Sequence, residues 1–144
     1  MLDMWGLEVT GDSNDLQLHQ EVVDGYFLFS PNLSDTLDKV SMSQMPMTQI
    51  LKAQLFLMAT TQTGHAAATE IEQRLDIDTL NDRERQHLAA LRFNLNGDSR
   101  SQCRMFSTIL RSYPSDMLAI RLQHFELFNL GLIDDMLNAV QTAL

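Results

Sequence analysis

An all-α fold built from antiparallel helix hairpins is the class this sequence predicts, and three observations predict it. Apolar residues recur at spacings of three and four along nearly the whole chain, alternating β-branched runs are absent, and Gly, Pro, Asn and Asp separate the periodic segments. Composition agrees: 44% of the 144 residues are apolar and 20% charged, enough for a core and too little charge to keep the chain unfolded. With 6 glycines and 3 prolines, a turn-dense β-sandwich is a poor fit.

The segments follow in order. Asp15 to Phe29 and Leu33 to Met42 come first, and Met47 to Thr61 carries Ile50, Leu51, Leu55, Phe56, Leu57 and Met58 around most of its circumference. Such a helix needs cover on several sides. Gly64 to Leu75 has only the stripe Ala67, Ala68, Ile71 and Leu75, as expected of the more exposed member of a hairpin. Asn81 to Asn96 and Asp98 to Tyr113 form the next pair. Ser115 to Leu130 is again apolar nearly all round, and Leu132 to Leu144 carries the single stripe Ile133, Met136, Leu137, Val140 and Leu144. Phe93, Phe106, Phe125 and Phe128 are expected near the core.

Punctuation suggests a repeat. Gly64 and Gly97 are 33 residues apart and Gly97 and Gly131 are 34 apart, a helical-repeat period. Pro46 and Pro114 precede Gly64 and Gly131 by 18 and 17 residues, so each proline is read as opening a helix that the glycine closes. Residues 1–144 are read as one helical-repeat domain, less regular over 1–45 and made of repeat-like hairpins over 46–144. The last stripe reaches Leu144 without a stop signal or a capping face, so the chain is expected to be the N-terminal part of a longer protein or to dock its end on a second copy.

The run Asn81-Asp-Arg-Glu-Arg-Gln-His-Leu-Ala-Ala-Leu91, then Gly97-Asp98, Ile109-Leu110, Tyr113-Pro114, Asp116-Met-Leu-Ala119, His124 and Leu130-Gly131, resembles the tetratricopeptide repeat protein 38 family. The likeness is dense from Asn81 to Asp135 and looser toward the start, at Leu2-Asp3 and Gly6-Leu7. It implies a right-handed array of antiparallel helix hairpins, a tetratricopeptide-like α-solenoid, and no established catalysis. Against the general repeat signature, Phe93, Gly97, Phe106 and Pro114 take the aromatic, turn, second-helix and closing positions, while Gln86 stands where tryptophan is usual.

Charge narrows function. A formal net charge of −9 repels polyphosphates and anionic membrane surfaces, so neither nucleic acid nor membrane is an expected partner. The first residues lack a secretory pattern, and a cytoplasmic location is expected. Cys103 is the single cysteine, which excludes an intrachain disulfide, and its place on the stripe with Phe106, Ile109 and Leu110 makes it a core residue. Met42, Met45 and Met47 around Pro46 read as adaptable core filling.

His19, His65, His87 and His124 fall in four different segments, and no metal site or other cofactor is expected. Glu84 and His87 form the one E-x-x-H element, where di-iron bundles need two. Glu84 therefore reads as a first-turn acid facing the helix dipole and His87 as a packing residue. No residue is assigned a catalytic role; an enzyme using Glu84, His87 and His124 in a groove completed by further repeats is the competing class.

The distribution of charge is the most informative feature. Residues 1–50 hold 8 acids and 1 base, whereas residues 83–121 hold 7 arginines and 3 acids. Arg85 and Arg92 share one helical face, and Arg100, Arg104 and Arg111 share another. These five are the candidate partner-binding residues, suited to bidentate contact with an acidic peptide or carboxylate. The expected function is a protein-interaction scaffold, with a homo-oligomer through the uncapped last helix as a further alternative.

Overall fold

The structure, a computed structural model, describes residues 1–40, 45–131 and 140–141. Among these it is all-helical. The α-helices are α1 (Ser13–Phe27), α2 (Leu33–Val40), α3 (Pro46–Met58), α4 (Gln62–Arg74), α5 (Asp82–Leu95), α6 (Ser99–Ser112) and α7 (Met117–Asn129), with a 3-10 turn at Ile77–Thr79. The N-terminal segment is closed by one antiparallel bridge, Leu2 to Glu8. The expected last helix lies outside the described residues, except that residues 140–141 are helical, and Met42 is also outside them.

Local chemistry starts most of these helices. The side chains of Asp12, Thr61, Asn81, Asp98 and Asp116 accept backbone N–H groups of the first turns of α1, α4, α5, α6 and α7, each satisfying a donor that the helix cannot. Pro46 occupies the first position of α3, where its missing N–H costs nothing. At α5, Asn81 and Glu84 form a reciprocal capping box.

Successive helices pack in pairs, α1 on α2, α3 on α4, α5 on α6, and α6 continues onto α7. The α3/α4 and α5/α6 hairpins meet through α3 and α5, where the core gathers Ile50, Leu51, Leu88, Leu91 and Phe106. Phe106 is fully buried, which contributes about 3 kcal/mol relative to exposure. Polar side chains tie the same seam: Asn94 Nδ2 and Gln102 Nε2 donate to Gln54 Oε1 at 2.8 and 3.3 Å. Gln123 Nε2 joins α7 to α6 by donating to the Cys103 carbonyl and Ser107 Oγ. Met45, Met47 and Cys103 are buried, as expected of core filling.

Three sequence expectations change. Gly64 does not separate α3 from α4 but lies inside the first turn of α4. The reversal is made by Thr60 at φ +53, while a Cβ on Gly64 would stand 2.5 Å from the Phe56 carbonyl oxygen. Glycine is required there for close approach, not for a turn. Pro114 does not open α7, because Asp116 takes the capping position two residues later. Phe128 is not core: it is 67% exposed, so among the described residues α7 is covered on one side only.

Gly64→Ala is therefore expected to destabilise the chain by about 2 kcal/mol through steric overlap. Gly97→Ala, at φ +75 with open space around it, should cost about 1 kcal/mol from the left-handed backbone alone. Urea unfolding midpoints for the two variants check the order.

Candidate functional site

Two places concentrate chemistry: a closed ionic centre and an open apolar groove. The centre brings together residues remote in sequence. Arg83 Nε donates to Asp116 Oδ2 at 2.7 Å, Arg83 Nη1 to Asp3 Oδ2 at 3.3 Å, and His87 Nε2 to Asp116 Oδ2 at 2.8 Å. Asp116 Oδ1 accepts the Ala119 N–H that starts α7, and Asp3 also accepts the N–H groups of Trp5 and Leu7. None of these side chains exceeds 2% exposure. Nearby, His19 Nδ1 pairs with Thr48 Oγ1 at 2.9 Å between α1 and α3.

Burial and pairing set the charge states here. Burial raises the Asp116 pKa, but His87 and Arg83 together outweigh it and hold the carboxyl well below the usual range. For His19 burial dominates and lowers the pKa from 6.5 to about 4, against an opposing pull from Asp3. His19 is thus neutral near pH 7 while Asp116 is charged.

Glu84 and His87 share α5 but not a task. Glu84 Oε1 and Oε2 accept the Thr10 hydroxyl and N–H at 2.6 and 2.9 Å, and Oε1 also takes the Asn81 N–H. His87 belongs to Asp116. Both are fully buried, whereas His124 lies on the groove, so the three do not line one cleft. Among the described residues no three His, Cys, Asp or Glu side chains are placed to hold a metal ion.

The five predicted arginines are all exposed and fall into two groups. On α5, Arg92 Nε pairs with Glu72 of α4 at 2.8 Å, and Arg85 Nε donates to the Ile77 carbonyl. On α6, Arg104 and Arg111 donate to the hydroxyls of Ser101 and Thr108. Among the described residues, no carboxylate lies within ion-pair distance of Arg85, Arg100, Arg104 or Arg111.

The groove lies where the end of α1 meets α2, α3 and α7, with a cavity volume of about 590 Å³. Leu33 and Leu37 come from α2, Leu55 and Met58 from α3, and Arg121, His124, Phe125 and Phe128 from α7 at spacings that share one face. The Arg121 guanidinium carbon lies 5.2 Å from the ring centres of Tyr26 and Phe27 and 4.9 Å from that of Phe29, within cation–π range. Burial pushes the Tyr26 hydroxyl pKa up, and the positive charge of Arg121 offsets part of that. Phe29 itself is 80% exposed at φ +52.

Sequence reasoning missed Arg83, Asp3, Asp116 and His19 as one cluster, since they are scattered along the chain. Arg121 and Phe29 carried a usable signal. Tyr26-Phe-Leu-Phe29 places an aromatic where a helix end favours glycine, and Arg121 belongs to the basic zone. No protein-family model matches this chain, and no solved structure matches it. No helix among the described residues is long and apolar enough to cross a membrane.

Asp116→Ala leaves the buried Arg83 guanidinium with Asp3 alone, strips His87 of its partner and uncaps α7, and should cost about 3 kcal/mol in chemical unfolding. Between pH 6.5 and about 4 the unfolded chain protonates His19 and the fold does not, so stability falls by about 3 kcal/mol as pH drops through that window. His19→Gln should flatten that slope. The Asp116 contribution is complete above the ordinary aspartate range and is lost below it, so it persists in the variant until stronger acid.

Proposed function

We propose that this chain is a non-catalytic interaction module of the helical-repeat type, a tetratricopeptide-like α-solenoid in which α3/α4 and α5/α6 are successive hairpins. The sequence resemblance described above and the direct packing of α3 on α5 support that reading. Its partner is a protein segment rich in carboxylates, held on the outer face of α6.

One observation carries the proposal. Arg100, Arg104 and Arg111 lie within about 40° of one another around α6, all exposed, with no carboxylate within ion-pair distance among the described residues. In a chain with nearly twice as many acids as bases, intrachain neutralisation of such a row would be easy to achieve. Guanidinium groups spaced along a helix match successive carboxylates of an extended peptide, two hydrogen bonds at a time. Arg92 is already engaged by Glu72 and contributes less.

A fluorescein-labelled oligoglutamate peptide should bind the full chain with an affinity that falls steeply with salt. Arg100→Glu combined with Arg104→Glu should weaken binding by roughly tenfold or more, while the thermal midpoint shifts by no more than about 2 °C, since exposed charges contribute little to folding. Binding that is unchanged in the double variant would falsify the assignment of the face.

A further inference from the structure

The groove at the end of α1 combines features that packing alone does not require. Its walls are almost entirely aliphatic and aromatic, and its volume, about 590 Å³, is that of small-molecule sites. Arg121 stands in its lining with its cation fixed over three rings, and among the described residues no carboxylate lies within ion-pair distance of it. One turn further along α7, His124 Nε2 is buried without a hydrogen-bond partner. A buried ring nitrogen left unpaired beside an apolar cavity is costly unless something enters to meet it.

Phe29 supplies an independent indication. Ser30 N–H reaches back to the Gly25 carbonyl at 2.9 Å, ending α1 in a left-handed turn. The equivalent turns after α5 and α7 use Gly97 and Gly131, and the turn after α3 uses the polar Thr60. At α1 the left-handed position is filled by a phenylalanine that is mostly exposed and lines the groove. A bulky residue held in that conformation stores strain that glycine would remove, and its ring stays beside Arg121.

We propose that the groove binds a long-chain aliphatic carboxylate, the alkyl chain lying against Leu33, Leu37, Leu55 and Met58 and the head group meeting Arg121 and His124. Charge and polarity select this class. A single cation balances a single carboxylate, whereas a phosphate dianion calls for more positive charge than Arg121 offers in a chain of net charge −9. A peptide strand or loop would bring in backbone N–H and C=O groups, and apart from Arg121 and His124 the lining offers little beyond Ser34 and the Tyr26 hydroxyl to satisfy them. An alkyl chain has no such groups. This site is separate from the α6 face, and either assignment can fail without the other.

Isothermal titration of the full chain with dodecanoate, dodecanol and dodecylammonium, all kept below the concentrations at which they form micelles, tests the proposal. Dodecanoate should bind saturably and one to one, roughly tenfold tighter than the alcohol, and dodecylammonium weakest. Arg121→Gln should abolish the preference for the acid over the alcohol while leaving alcohol binding in place, and Arg121→Lys should keep part of it. Leu37→Trp, which fills the groove, should remove binding of both with helical circular dichroism unchanged, and oligoglutamate binding should survive. No saturable dodecanoate binding by the folded chain, equal affinity for acid and alcohol, or a preference that persists in Arg121→Gln would each overturn it. The first of these would assign the groove to a protein segment instead.

Discussion

The Asp116 carboxylate is the contact on which the architecture depends. One oxygen closes the first turn of α7, and the other receives both Arg83 and His87 from α5. Arg83 in turn holds Asp3, whose carboxylate shapes the N-terminal turn. A charge taken fully out of water is tolerated only when it is paired, and here Arg83 meets two carboxylates through Nε and Nη1, although its Nη2 and His87 Nδ1 have no hydrogen-bond partner among the described residues. That condition forces the N-terminal segment, α5 and the start of α7 into one relative position. Hydrophobic burial drives these elements together, but apolar contacts are tolerant of sliding and the ionic centre is not.

The molecule separates its polar chemistry by exposure. Glu84 and His87, the E-x-x-H pair of the competing enzyme reading, are both consumed by internal pairing, as are Arg83 and Asp116. The groups left open are of a different kind: a row of guanidinium groups on α6, and an apolar groove with one caged cation. Both are suited to recognition, because recognition needs complementary surface and charge already in place. Stacking of Arg121 of α7 on Tyr26 and Phe27 of α1 also joins the first and last α-helices named above.

Much of the fold was legible in the residues. The helices lie within a few positions of where apolar spacing puts them, because burying one stripe of a helix is a local demand that every turn repeats. Caps at Asp12, Asn81 and Asp98 are equally local. Errors arose where a residue's role was set by packing or by a competing cap rather than by its own backbone preference. Gly64 looked like a turn and is a close contact with the Phe56 carbonyl, Pro114 looked like a helix start and yielded to the Asp116 cap, and Phe128 looked like core and faces the groove. The candidate site was less legible: the arginine rows followed from helical periodicity, but the cage around Arg121 joins rings and a cation about ninety positions apart.

By itself the sequence determined the all-helical class, the order and approximate limits of the helices, the exposure of the five arginines and the burial of Cys103. These rest on periodicity and capping, which act over one or two turns and so are written in adjacent residues. Only the tertiary structure decided that Asp3, Arg83, His87 and Asp116 form one centre, that Glu84 serves Thr10, and that Arg121 sits among three rings above an apolar cavity. Those arrangements depend on how helices cross, and a crossing is fixed by the summed fit of many side chains rather than by any short stretch of chain.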